Sequence, residues 1–563
     1  MMLRPTLITT LLFTLFCASI RAEEPAAQND EQAIREEQVR RTTAVALNYC
    51  RAALHRIRRQ PHKHIFYEEQ TRILNNLDLN QIEDPEVITL YKSILDEIST
   101  VEISERERVV IKEQFRRNVH RQLGTSFFVI GAQVATGQLG TAVQSGANSW
   151  WDYRNQEVRR DADQWKVEKT EFSNLMSRSS TFLDSFWKLS RKNNIPDRWL
   201  IRDQDLDHLA HILAERDPET RLRMLNRMER FMECYPPYWY YVARTQQQLG
   251  QKEQAIETYQ RLSEIGSGHF RQDDMLASCM ANMALLQELD GHPDAARTAS
   301  RVNDYSIRNW EANLVCAWIL GRHQRFDDAE ELILCNLDED EETSQSRVAL
   351  VSLYYHSEDR PKLAELLENP EVVRDVPIPG LLLSARLLGT NGMPRTAQTY
   401  LASTLSASVR RVSRGEAVTL AASNGWKLRD ARPEIAAGGH VFRSVGFRPG
   451  ATDRAEFLTD SHAADDRDIR VTLNYPGTPA IHITLNRQQE ESVRDDSAFP
   501  VGRLPFPGVV KNPAAALISQ EVRYEIGAIE LDGVRLSFND DVINEAAAGE
   551  KEVSAEESTT TRS

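Results

Sequence analysis

The sequence predicts a mainly α-helical chain: a helical hairpin region, then an array of helix pairs, then a small C-terminal β domain. Three observations carry this. Between Pro236 and Thr404 a turn residue recurs with an Ala five positions later: Gly250 with Ala255, Gly291 with Ala296, Gln324 with Ala329, Asp359 with Ala364, and Gly392 with Ala397. The alanines are 41, 33, 35 and 33 residues apart, the recurrence expected of stacked helix pairs. Upstream, apolar residues repeat at helical and seven-residue spacing. Beyond Val441 the hydrophobic period falls to two.

Taken in order, Arg4, the apolar run Leu7–Phe16 and the small Ala22 predict a secretory signal over residues 1–22. Residues 23–195 form the expected helical region. Its acidic start, 23–34, reads as loose, and a helix with Val45, Leu47, Leu54 and Ile57 on one stripe runs to Arg59. The end of that helix is basic: Arg51, His55, Arg56, Arg58 and Arg59. It suits either an anionic surface or a face balanced by acids such as Glu68 and Glu69. Asp84-Pro85 reads as N-cap and first position of a helix whose Val87, Tyr91, Ile94 and Ile98 share a face. Ser104 and Glu107 read as a capping box.

Gly124 to Gly146 carries five glycines and no charge, and Trp150 and Trp151 follow it. Val158, Trp165, Phe172 and Phe186 then repeat at multiples of seven, which predicts a long hairpin with the Gly-rich segment at its tip. Phe127, Phe128, Val134, Trp150 and Trp151 are candidates for a membrane or oligomer contact. Internal packing is the third reading.

Asp217-Pro218 is the turn or the helix start of an atypical first pair, and the aromatic run Tyr235 to Tyr241 joins that pair to the repeats. The run reads as a hydrophobic joint or as an exposed ledge. Helix pairs occupy 196–410 and a cap and linker 411–440. Over 441–540, Arg470–Tyr475 and Ala480–Asn486 flank Pro476-Gly477, and Val522–Leu531 and Val534–Phe538 flank Asp532-Gly533; both read as hairpins. The tail 541–563 reads as disordered.

The clearest unit is Trp239-x-x-Val242-Ala243 through Leu249-Gly250-x-x-x-x-Ala255-x-x-x-Tyr259. It resembles the tetratricopeptide repeat family. The resemblance implies an α-solenoid that holds a partner along the first helices of its pairs. Projecting the family pattern puts Tyr240, Arg244, Gln247, Leu314, Trp318, Arg322 and Arg386 toward that trough, where arginine among aromatics suits a peptide or its carboxylate terminus.

The formal net charge of −15 argues against a nucleic-acid partner. The sequence holds no Walker loop, dinucleotide fingerprint, G-x-S-x-G elbow or H-E-x-x-H, and no cofactor is expected. His208-x-x-His211 with Glu215, and Pro61-His62-Lys63-His64, are the nearest approaches to a metal set, and the reading assigns neither as a site. Cys50, Cys234, Cys279, Cys316 and Cys335 have no metal spacing and read as small apolar residues. The expectation is a non-enzymatic exported scaffold for protein–protein interaction in the cell envelope, able to touch membrane or self-associate. The alternative is a carbohydrate-binding or carbohydrate-active protein that reads sugar with its β domain.

Overall fold

The computed structural model describes residues 24–60, 62–75, 78, 84–99, 184–339, 342–389, 391–412, 415–423, 426, 428, 431–447, 454–459, 468–475, 480–487, 521–531 and 533–538. The expected signal, the hairpin up to Leu183 with its Gly-rich tip, the residues Phe127, Phe128, Val134, Trp150 and Trp151, and the tail lie outside these residues. No helix among the described residues is long and apolar enough to cross a membrane. The chain divides into two compact units, Met1–His323 and Gln324–Ser563.

The first unit opens with α1 (Glu24–Arg59), which already covers the stretch 23–34 expected to be loose. It is followed by α2 (Lys63–Gln70), one π turn (Thr71–Asn75) and α3 (Pro85–Ser99). Asp84 caps α3, its Oδ1 accepting from Glu86 N at 2.9 Å, and Pro85 fills the first position where no donor is needed. Val87, Tyr91 and Ile94 fall on one face, and that face is buried. They share a core with Leu47, Ile57, Phe66, Phe186 and Trp199.

The next elements are α4 (Asp203–Leu213), α5 (Pro218–Met232), α6 (Pro236–Gln248), α7 (Lys252–Gly266), α8 (Asp274–Leu289), α9 (Ala295–Ala299) and α10 (Trp310–Arg322). Asp217 caps α5 by accepting from Thr220 N, Asp273 caps α8 by accepting from Leu276 N, and Asn309 caps α10 by accepting from Ala312 N. Each of α4 to α8 packs on its successor, and α8 touches both α9 and α10. The turns fall at residues with left-handed backbone, Gly250 (φ 74°) and Gly291 (φ 69°). Ala255 has no exposed surface. In the second pair the buried small residues are Ala295 and Ala299, one register away from Ala296. The long first interval has a structural source: the extra loop 267–273 lies between α7 and α8.

Helices α8 and α10 are apolar on nearly every side, so they cannot lie on a surface. Every residue of α8 from Met275 to Gln287 is buried. In α10, residues 310–320 are buried apart from half-buried Trp318.

The second unit begins with α11 (Phe326–Asp338), α12 (Thr343–His356), α13 (Arg360–Leu367), α14 (Pro370–Asp375), α15 (Ile378–Leu388) and α16 (Arg395–Ser403). α12 packs on α11, α13, α14 and α15. Ala329 and Ala397 are fully buried, whereas at Ala364 the buried neighbour is Leu363. The left-handed residues before and between these helices are Gln324, Glu342, Glu358 and Gly389.

Strands then begin at Leu405, earlier than the expected β domain at 441. They are β1 (Leu405–Val412), β2 (Gly415–Ala422), β3 (Arg432–Ala437), β4 (His440–Phe447), β5 (Arg454–Thr459), β6 (Ile469–Asn474), β7 (Ile481–Arg487), β8 (Glu521–Leu531) and β9 (Val534–Ser537). The stretch 411–440, expected as cap and linker, therefore supplies the end of β1, all of β2 and all of β3. The β region is also more than a small domain of hairpins. Its order is β1-β2-β5-β4-β3-β6-β7-β8, and β8 pairs back with β1, closing an eight-stranded antiparallel barrel with β9 appended to β8. Closure removes the exposed edges that an open sheet would present. Val418, Leu420, Ile435, Phe457, Val471, Ile483 and Ile526 fill the interior. α16 packs on β1 and β8.

Candidate functional site

The residues projected onto the trough separate into two groups. Tyr240, Arg244, Gln247 and Leu314 are buried in the first unit. Tyr240 packs edge-on against Tyr241 and Tyr259. Gln247 accepts from the Tyr259 hydroxyl at 2.8 Å and donates to Asn282 Oδ1 at 3.3 Å. Asn282 in turn donates to Ser278 O, and Asn309 donates to Ser278 Oγ, both at 2.8 Å. These side chains form a neutral ladder inside the repeat helices. They correct the expectation that the first helices of the pairs line an open trough.

The second group is accessible. Arg322 is exposed at the end of α10, with its guanidinium over the Trp318 ring at 5.2 Å. Its Nε donates to Glu288 Oε1 at 2.6 Å, and His323 Nε2 stands 2.7 Å from Glu288 Oε2. The arginine is thus held by α8, and its ring partner Trp318 is half-buried. Arg386 is exposed on α15 of the second unit.

Other expected surfaces turn inward. Tyr235, Tyr238, Trp239 and Tyr240 are all buried, so the aromatic run is a joint between helix pairs and not a ledge. The basic end of α1 is consumed internally. Arg51 and Arg58 pair with Asp203 at 3.1 and 2.6 Å, and His55 and Arg59 reach Asp207. Arg56 pairs with Glu68 at 2.7 Å and Glu69 at 2.8 Å.

His208 and His211 are exposed on α4, while Glu215 Oε1 accepts from Asp217 N. No group of three or more metal-capable side chains gathers among the described residues. All five cysteines after the expected signal are free, and only Cys335 is not fully buried. In the barrel, Phe442, Phe457, Tyr524 and Trp426 are buried, and the Tyr475 hydroxyl donates to Trp426 O. The four buried rings are unavailable for stacking on a sugar, and Tyr475 is half-buried.

One cluster has no counterpart in the sequence reading. Tyr49, Glu69, Arg72, Tyr235, His269 and Asp273 meet in the interior of the first unit. Arg72 lies over the Tyr49 ring at 5.7 Å and 3.4 Å from Glu69 Oε2. The Tyr49 ring stands 6.2 Å from Tyr235, 6.5 Å from His269 and 4.8 Å from Phe270. Burial pushes the Tyr49 phenol well above its ordinary range, and it holds His269 down to about 4. Asp273 is raised to about 7, chiefly by burial. The one local signal is Asp273 as a helix cap; Tyr49, Glu69 and Arg72 lie some two hundred positions away in sequence, beyond any periodicity.

No protein-family model matches the chain, and no curated protein matches its sequence.

Proposed function

We propose that this chain is a non-enzymatic helical-repeat scaffold of tetratricopeptide type, exported to the cell envelope, where it holds an acidic or C-terminal peptide of a partner protein. The observation that carries the reading is the recurrence of one local unit. Gly250, Gly291, Gln324, Glu358 and Gly389 each take left-handed backbone between two helices. Such a repeated pair cannot bury its apolar faces alone and has to stack, which produces extended binding surfaces. Export is supported by the signal-like pattern of residues 1–22.

Since the first-helix positions of α6 and α8 are interior, the contact is assigned to the accessible cations. In the first unit Arg322 is set on Trp318, and in the second Arg386 lies on α15; each has an exposed guanidinium group of the kind that pairs well with a carboxylate. The test is capture from an envelope extract on the immobilised full chain, with the bound protein identified. The variant carrying Arg322→Glu and Arg386→Glu should keep its far-ultraviolet circular dichroism and lose that protein. Equal recovery by parent and variant rejects the assignment.

A further inference from the structure

The end of α10 gathers more than one arginine. The helix closes at Arg322, and His323 is its C-cap, its N donating to Ile319 O at 3.2 Å and Leu320 O at 3.1 Å. The carbonyl end of a helix favours positive charge, so both side chains suit this place. One carboxylate organises them. Glu288 of α8 leaves only 10% of its side chain exposed. Its Oε1 accepts from Arg322 Nε at 2.6 Å, and its Oε2 stands 2.7 Å from His323 Nε2. The Trp318 ring, 5.2 Å from the guanidinium carbon, fixes the plane of Arg322. Arg322 and His323 themselves are exposed.

With Arg322 taken as the contact for a ligand carboxylate, as the scaffold reading has it, we propose that His323 is the second half of that site. Charge decides how the pair works. Arg322 and ionised Glu288 cancel, so the group is neutral until His323 takes up a proton. An ionised carboxylate can only accept, so a neutral His323 carries its hydrogen on Nε2, toward Glu288. Nδ1, which has no partner among the described residues, then holds a bare lone pair that repels a carboxylate oxygen. Protonation turns Nδ1 into a donor and gives the group a net positive charge. A carboxylate that reaches Arg322 therefore binds more tightly as pH falls.

The surrounding charges are already engaged. Among the described residues the charged partner of His323 is Glu288 of α8, and Arg322 shares that carboxylate. Asp290, the C-cap of α8, pairs with Lys252 of α7 at 3.2 Å. Arg325, two residues beyond His323 in sequence, pairs with Asp328 at 2.6 Å. The imidazole is thus the group of this cluster whose charge changes between about pH 5 and 8.

The test titrates the full chain, at constant ionic strength, with N-acetyl-trialanine bearing a free carboxylate terminus and with its amidated twin. The indole N–H resonance of Trp318, identified by its loss in Trp318→Phe, reports on the site. The probe carboxylate stays ionised above about pH 5, so a change between about pH 5.5 and 8 comes from the protein. The free acid should shift the Trp318 resonance and the amide should not. The dissociation constant of the acid should rise about fivefold from about pH 5.5 to 8. His323→Gln, which keeps a donor for Glu288, should bind at the weaker, high-pH level throughout, and Arg322→Gln should abolish the shift. Equal constants at the two pH values, a pH dependence that survives in His323→Gln, an equal response to the amide, or no response to either probe overturns the proposal. The scaffold reading fails separately. A protein recovered from extract beside a silent Trp318 rejects the His323 site alone, and a pH-dependent Trp318 shift without a recovered protein rejects the scaffold alone.

Discussion

Two regions of the first unit bury polar side chains in different ways. In the repeat helices, a ladder of buried neutral side chains bonds from one helix to the next: Tyr259 to Gln247, Gln247 to Asn282, Asn309 to Ser278. Around them, α8 and α10 contribute mostly apolar atoms, whose attraction is non-directional. Along α1, beside a buried apolar stripe that includes Leu47, Leu54 and Ile57, the polar contacts are long-range and many are charged. Asn48 donates to Trp199 O and Cys234 O and accepts from Ile201 N, joining three distant segments. Four basic side chains of α1 then reach Asp203 and Asp207 on α4. The repeats are held chiefly by burial, and α1 adds specific long-range partners to its own buried apolar stripe. A helix held this way has one allowed register, and its docking responds to protonation.

The largest effect that could break this contrast is at Asn48. Asn48→Ala leaves two carbonyls and one amide unpaired in the interior, at about 1–3 kcal/mol for each group. Chemical denaturation of the full chain should show a loss on the order of 4 kcal/mol. A loss below about 1 kcal/mol would mean that α1 is held by apolar contact like the repeats.

Next comes the apolar side. Ala255 is fully buried where α7 meets its neighbours, and Ala255→Leu adds three carbons to a filled space. Overpacking there should cost about 1–3 kcal/mol. A thermal midpoint equal to that of the parent would show that the helices can separate at this point, and that the repeat register is loose.

Much of this fold was legible because turns and caps are local events. Asp84-Pro85, Asp217-Pro218 and the turn at Gly250 appear where the residues demand them. Two turns are displaced for identifiable reasons. At the fourth, Glu358 takes the left-handed backbone and Asp359 caps the next helix. At the fifth, Gly389 takes it, while Gly392 is needed because a Cβ there would lie 2.5 Å from Leu388 O. The barrel was half legible. Its last two hairpins carry β-branched residues, whereas β1 to β3 place Ala407, Ala422 and Ala437 inward, a weak strand signal. Ring closure by β8 on β1 joins residues over a hundred positions apart and leaves no local trace. The projected site failed at Tyr240 and Gln247 because a family pattern fixes helix phase and does not reveal what covers a face.

The smallest expected effect separates ion pairs by burial. Burial alone would raise Asp203, but Arg58 and Arg51 more than offset it and hold its carboxyl below the ordinary carboxylate value. A depressed carboxylate contributes stability above its unfolded pKa and loses it as pH falls through the folded one. The α1–α4 seam should therefore loosen under acid, below the ordinary value of 3.8. Asp203→Asn should remove that acid dependence and cost about 1 kcal/mol at neutral pH, since Asp203 is one-third exposed and partly screened. Lys252 and Asp290 form a comparable pair at 3.2 Å, but Asp290 is exposed and neither partner is buried as Arg51 is opposite Asp203. Asp290→Asn should shift stability by less than about 0.5 kcal/mol, and less still in high salt. Equal effects at Asp203 and Asp290, read as denaturation midpoints at low and high salt, would show that the seam is ordinary surface charge and that Asn48 alone holds α1.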